Sequence, residues 1–324
     1  MAGIQPCVGS TALPKPLLRL KLGRDYHFQT EFTMRLQVAD VAANFALDVR
    51  PRLWAVSDLH LSMSANRAGI EALPVHGEDW LIVAGDVGER PEDLHWAFTI
   101  LSRRFARLLW VPGNHELWTV KQPDGGALAG EAKYQAMVDV ARSHGVATPE
   151  DPYPLWPGPD GPVVLVPMFL GFDYSFRPAE VPLEGVLDWA WEKRLRSADE
   201  TRLDPAPHAT RQDWCAARIA WTRARLEREV PAGTRTVLIN HYPLRQDLVT
   251  LRRIPRFSPW CGTIATEDWH LRFNALACIH GHLHVPGTHW RDGVRFEEVS
   301  LGYPRQWQPH GRGPDRALRL VFPS

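Results

Sequence analysis

Leu53-Trp-Ala-Val-Ser-Asp-Leu-His60 is a short apolar run that ends abruptly in ionisable side chains. Four apolar residues without polar interruption suit a strand covered on both faces, and the Ser-Asp-Leu-His that follows places two candidate metal ligands just past its carboxyl end. The same device recurs twice. Trp80-Leu-Ile-Val-Ala84 runs into Gly85-Asp86, and Leu108-Leu-Trp-Val111 runs into Pro-Gly-Asn-His-Glu116. Helices are expected between these runs, around Asn66 to Leu73 and Pro91 to Phe105, the second opening on Pro91, Glu92 and Asp93 as a helix start should. The alternation is βαβ, which predicts an α/β fold.

Further strands are expected at Val163 to Val166, Thr236 to Ile239, Ala275 to Ile279 and Val294 to Val299, and a long helix at Gln212 to Glu229. Asp151 to Pro162 reads as a Pro/Gly-rich loop, and Gly171 to Pro207 as an irregular insertion with one helix near Val186 to Arg196. Residues 1–50 carry none of these motifs; they read as an N-terminal extension, partly disordered or an added hairpin, with an alternating stretch Phe32 to Val38 as its one strand candidate. The organisation expected is thus an extension over 1–50 and one domain over 51–324, with an insertion around 171–210.

In open α/β sheets, residues just after the strands converge in space even when they are distant in sequence. Here those residues are Asp58 and His60, Asp86, Asn114 and His115, His241, and the pair His282 and His284 in Gly281-His-Leu-His284. An Asp-x-His pair leaving a strand aims both side chains at one ion, because alternate strand residues share a face. Asp86 has two carboxylate oxygens with which to bridge cations, and Gly85 before it permits a tight turn. Mixed imidazole, carboxylate and amide-carbonyl ligation suits Mn, Fe or Zn better than Ca or Mg. Taken singly, Asp58 or Asn114 is more often a turn or cap residue, and any one histidine more often a surface or core residue. The ordered series at the ends of five successive strands is what carries the metal reading, and seven ligands suit two ions.

The ordered set Asp58-Leu-His60, Gly85-Asp86, Gly113-Asn-His-Glu116, Asn240-His241 and Gly281-His-Leu-His284 resembles the calcineurin-like metallophosphoesterases over residues 53 to 300. The resemblance implies a four-layer α/β/β/α sandwich with a dinuclear centre. One metal would be held by Asp58, His60, Asp86 and His284, and the second by Asp86, Asn114, His241 and His282. His115 would be the catalytic histidine at the leaving-group side, and Glu116, which stands where the family often has Asp, would orient it. Two cations a few Å apart activate water for in-line attack and clamp the phosphoryl oxygens.

Substrate contacts are less marked. Arg90 follows Gly85-Asp86-Val-Gly-Glu, and Arg252 and Arg256 lie with Arg253 and Trp260 in a segment placed to overhang the site. Guanidinium binds phosphate bidentately, yet each of these residues reads equally well as a solvated side chain. Tyr174, Phe176 and Arg177 of the insertion are candidates for another wall. Lys+Arg and Asp+Glu both total 37, so zero net charge gives no footprint for nucleic acid or an anionic membrane. The four cysteines form no short pair, and Pro14 to Arg24 is interrupted by basic residues, so reduced thiols and a cytoplasmic location without membrane association are expected. The first functional reading is a phosphomonoesterase acting on a small phosphorylated metabolite. The alternative is a phosphodiesterase on nucleotides, cyclic nucleotides or nucleic acid, and a rival of another class is an inactive binding module on the same fold.

Overall fold

The computed structural model describes residues 50–122, 125–158, 160–311, 313–314 and 317–323. The expectations for the N-terminal extension, including the strand at Phe32 to Val38, lie outside these residues.

The first βαβ unit forms as the pattern predicts. Strand β1 (Leu53–Val56) leads to helix α1 (Ser64–Glu71), then β2 (Trp80–Val83), α2 (Pro91–Leu101) and β3 (Arg107–Trp110). β1, β2 and β3 pair in parallel. Helix α2 begins where Pro91 supplies a fixed φ and Asp93 accepts the backbone N–H of Arg90 at 3.3 Å. A four-residue turn of helix, α3 (Asn114–Leu117), follows β3 directly. A two-stranded ribbon, β4 (Val120–Lys121) and β5 (Ala127–Leu128), then leads to α4 (Gly130–Ser143).

The second half comprises β6 (Leu155–Trp156), β7 (Val163–Pro167), the insertion with helices α5 (Val186–Trp191) and α6 (Asp199–Arg202), the long α7 (Arg211–Glu229), then β8 (Thr236–Ile239), β9 (Ala275–His280), β10 (Gly287–Arg291) and β11 (Val294–Glu298). These strands form a six-stranded sheet in the order β10-β11-β9-β8-β7-β6, parallel at its centre and antiparallel at both edges. The last strand, β12 (Arg319–Phe322), returns to the first sheet and pairs antiparallel with β1, completing the order β12-β1-β2-β3.

Side chains alternating along each strand build the layers. Leu53, Ala55, Ile82, Leu109 and Val111 face Leu165, Val237, Ile239, Ala277 and Ile279, forming an apolar core between the sheets. Val56, Leu81, Val83 and Trp110 pack outward on Ile70, Leu94, Phe98 and Met137 of α1, α2 and α4. On the far side, Val166, Leu238, Cys278 and Phe296 pack with Cys215, Ile219 and Leu226 of α7. The result is a four-layer α/β/β/α sandwich.

Among the elements that depart from the sequence reading are α4, β6 and the first insertion helix. α4 carries no Ser, Thr, Asp or Asn at its N-cap, which is Ala129, so its start is unsignalled. β6 forms inside the expected loop because Leu155 and Trp156 pair with the edge of β7. The insertion helix stops at Trp191, five residues before the expected Arg196.

Candidate metal centre and active site

All seven expected ligands lie at the carboxyl ends of strands from both sheets. Three overlapping groups bring ligand atoms within 4.8 Å of one another: Asp58, His60 and His284; His60, Asp86 and His115; Asp58, Asp86 and His241. Asn114 Oδ1 lies 3.3 Å from His241 Nε2, and the His282 ring stands 5.2 Å from that of His241.

The geometry does not arise from strand alternation. Asp58 and His60 lie past the end of β1, and both have left-handed backbones, with φ of 55° and 41°. Asp86 (54°), His282 (70°) and His284 (54°) share that conformation. An L-residue there is strained, at a cost of order 1–3 kcal/mol each, and Asn, Asp and His tolerate it best. The loops that carry these residues are therefore sharp turns, and they touch backbone to backbone. A Cβ at Gly113 would sit 2.6 Å from Asp86 N, and one at Gly85 (φ 91°) would sit 2.7 Å from Gly113 N.

Hydrogen bonds behind the centre fix which atom each ligand presents. His241 Nδ1 donates to the carbonyl of Ala84 at 2.9 Å, and His284 Nδ1 to Gln306 Oε1 at 2.8 Å, leaving Nε2 of each for the centre. Asn114 donates from Nδ2 to Asp199 Oδ1 at 3.1 Å, which leaves its Oδ1 free. Tyr303 stacks on His60 with ring centroids 4.3 Å apart. Asp58 accepts the His282 backbone N–H at 3.0 Å, and Asp86 that of His115 at 2.9 Å.

The residues fit bound cations. His60 Nε2 and His284 Nε2 face each other at 3.1 Å, and the buried Nε2 of His282 has no hydrogen-bond partner. Two nitrogens so close, and a third buried and orphaned, are what a set of metal-binding imidazoles looks like. Burial first, then the charges of Asp58 and Glu116, push the Asp86 carboxyl well above its usual range. Burial opposes ionisation of Asp58 too, but the adjacent His284 imidazole holds it well below the usual range. Burial lowers His60 and His282 well below the ordinary imidazole value, so both are neutral, as ligation requires.

His115 sits at the edge of this cluster, its Nε2 3.8 Å from Asp86 Oδ2 and its Nδ1 3.6 Å from Glu89 Oε1. Its ring packs on Trp118 at 3.7 Å, and Trp118 Nε1 donates to Asp199 Oδ1 at 2.6 Å. Glu116, expected to orient His115, instead accepts the backbone N–H groups of Gly113, Asp86 and Val87 at 2.7, 2.9 and 2.6 Å. It ties the second ligand loop to the third. The reason is geometric: in the turn of α3 the Glu116 side chain folds back on the helix start, where its oxygens meet backbone N–H groups.

A cleft of about 310 Å³ opens over these residues. Its walls are Trp118, Arg196 and Ser197 on one side, Leu251, Ile254 and Phe257 on another, and Tyr303 and Arg305 on a third. Of the expected substrate contacts, Arg90 is the exposed N-cap of α2, and Arg252 is exposed between two cleft-lining residues without lining the cleft itself. Arg256 pairs with Glu192 at 2.6 Å. Trp260 is fully buried, and Tyr174 and Phe176 belong to the core beneath the insertion.

Sequence reasoning missed Asp199, Tyr303, Gln306, Arg196 and Arg305, which no motif marks. It also missed Lys133, whose buried Nζ donates to the carbonyls of Glu89 and Trp118 at 2.6 and 2.8 Å and so braces the segments flanking His115. Burial brings its pKa down to about 8.

The calcineurin-like phosphoesterase family model matches residues 51–286. The acyl-carrier-protein phosphodiesterase PptH of Mycobacterium tuberculosis is 49% identical over 277 residues, spanning 85% of this chain and 84% of that protein. The crystal structure of the phosphopantetheinyl hydrolase PptH from the same organism superposes with a TM-score of 0.79 at 47% identity, covering 85% of this chain and 97% of that one. Among the described residues, no helix is long and apolar enough to cross a membrane. With the ordered ligand series, the four-layer sandwich and these matches together, the chain belongs to the calcineurin-like phosphoesterase family and is a metal-dependent hydrolase of phosphate esters.

Proposed function

We propose that this protein is a phosphodiesterase that releases phosphopantetheine from an acyl carrier protein, hydrolysing the phosphodiester that joins the arm to the carrier. The convergence of three overlapping Asp/His groups at the strand ends supports the hydrolytic centre. The substrate reading rests on one observation, the 49% identity to the acyl-carrier-protein phosphodiesterase across most of both chains. That relative favours the diester alternative over the monoester reading. The domain is taken as residues 51–324, with the insertion around 171–210 contributing Arg196 and Asp199 to the site.

Two transition-metal ions are the cofactors of this reading. Asp58, His60, Asp86 and His284 would hold one, and Asp86, Asn114, His241 and His282 the other. Bound there, the ions supply Lewis acidity and positive charge where the phosphoryl group reacts. The chain's own groups do the rest. Arg196 and Arg305, on the cleft walls, offer guanidinium donors to the phosphoryl oxygens. His115, held by Trp118 and Glu89, gives a proton to the departing carrier oxygen as the phosphorus–oxygen bond breaks and water replaces it. The products are phosphopantetheine and the unmodified carrier.

Incubating the metal-loaded protein with a phosphopantetheinylated carrier tests this by mass spectrometry. The carrier should lose the mass of the arm, and phosphopantetheine should accumulate. Hydrolysis of bis-p-nitrophenyl phosphate with an intact carrier arm would remove the substrate assignment, and preference for p-nitrophenyl phosphate would restore the monoester reading.

A further inference from the structure

Beside the catalytic cleft lies a second cavity of about 290 Å³, lined by Leu187, Asp188, Trp191, Leu195, Arg196 and Trp260. Each cavity is near the lower end of the roughly 300–1,000 Å³ typical of small-ligand pockets. They adjoin at two places. Arg196 lines both, and the 3-10 turn Pro255–Trp260 borders both, with Phe257 on the cleft, Trp260 on the groove, and their rings 5.5 Å apart.

The outer wall of the groove is α5, and its position is fixed. Arg256 straps it to the 3-10 turn through the ion pair with Glu192, a hydrogen bond to the Trp189 carbonyl, and a guanidinium lying 4.8 Å over the Trp189 ring. Yet this braced wall leaves Leu187 42% and Trp191 60% exposed. Large apolar side chains held open beside a polar reaction centre mark a surface that something covers during function.

The charges say what covers it. Arg196, at the junction, has no carboxylate partner among the described residues, so an anion fits there. Further along, Asp188 is an acceptor that would repel a second phosphate and receive an N–H. The complementary ligand is anionic at one end and then aliphatic and neutral, with amide N–H groups along its length. A phosphopantetheinyl arm has this chemistry.

We propose that the groove between α5 and the Pro255–Trp260 turn binds the pantetheine arm of the substrate, while the phosphodiester occupies the cleft on the other side of Arg196. This rests on the phosphodiesterase reading above. The arm passes Arg196, lays its methyl groups against Leu187, Trp191 and Leu195, and gives an amide N–H to Asp188.

The test compares wild type with Trp191→Ala and Leu187→Asp, both at exposed positions where the folding cost is small. With phosphopantetheinylated carrier, KM should rise about tenfold, the loss expected when a site stops burying a methylene or more, while hydrolysis of bis-p-nitrophenyl phosphate, which has no arm, changes by less than about twofold. Free pantetheine should inhibit wild-type cleavage of the carrier substrate and lose that effect in both variants. Equal losses on both substrates, or no loss on the carrier substrate, overturn the groove assignment. A raised KM without competition by pantetheine overturns it too, because the surface would then be touching the carrier protein. A wild-type enzyme that cleaves bis-p-nitrophenyl phosphate but never releases phosphopantetheine refutes the substrate reading itself, and the groove assignment falls with it.

Discussion

The two sheets contribute different chemistry to the same centre. The four-stranded sheet delivers Asp58, His60, Asp86 and Asn114, which include every carboxylate and the amide, whereas the six-stranded sheet delivers His241, His282 and His284 alone. The carboxylates also fasten the sheets together. Asp58 accepts the His282 backbone N–H and lies 2.9 Å from His284 Nε2, while His241 reaches back to the Ala84 carbonyl, and Ser57 pairs with Ser300 across the seam. Both sides therefore help to join the sheets, but only the acidic side supplies carboxylate charge to the centre. The cost of a substitution should depend on which sheet it falls in.

The largest effect should come from removing the ions altogether. Dialysis against a chelator should abolish hydrolysis of bis-p-nitrophenyl phosphate and lower the melting temperature, because Asp58 and Asp86 are then left buried beside each other. Added Mn, Fe or Zn should reverse both changes. An active chelated protein would mean that the centre is not metal-dependent.

Next is the contrast between sheets. Asp86→Asn should lower both metal content and kcat by more than the roughly 10–100-fold seen when a residue behind a ligand is lost. His241→Ala, which belongs to one of the three groups rather than two, should lose less metal. Equal metal loss in the two variants, measured by elemental analysis, would erase the distinction between the sheets.

Glu116→Ala orphans three backbone N–H groups and should cost roughly 3 kcal/mol of stability or more, read by denaturant unfolding. Glu116→Gln, which keeps one acceptor, should cost less. Asp199→Ala should weaken metal binding by about 10–100-fold, since it frees the Asn114 amide to rotate, and should also lower the melting temperature of the metal-free protein, because Trp118 Nε1 and Ser197 Oγ lose their acceptor. The smallest effect belongs to Arg196→Ala, which should raise KM for a phosphodiester several-fold, about 1 kcal/mol, with kcat nearly constant. A fall in kcat alone would place Arg196 in the reaction step rather than in binding.

The strands and the convergence of the Asp, Asn and His series were legible in the sequence because each buried strand is a continuous apolar run that ends in a polar cluster. Val163 to Val166 and Thr236 to Ile239 formed within a residue of expectation for the same reason. What surrounds the ligands was not legible. Asp199 lies in an insertion without periodicity, and only the fold brings it within 3.1 Å of Asn114, 85 residues away. Tyr303 and Gln306 follow the last motif, where the chain returns to cover His60 and His284. Arg256 was singled out for its charge, yet its charge serves α5 rather than the cleft. A local pattern records what a residue is, and long-range packing decides what it touches.

The left-handed backbone at Asp58, His60, Asp86, His282 and His284 has a consequence for sequence variation at these positions. Aspartate, asparagine, histidine and glycine are the residues that such a backbone accepts most readily. Three of those four are also metal ligands. In a library randomised at these five sites, the turn geometry would discard β-branched and bulky side chains before any ion was offered. The surviving alphabet would already be biased toward coordination, so a disabled site on this scaffold stands few substitutions from a working one.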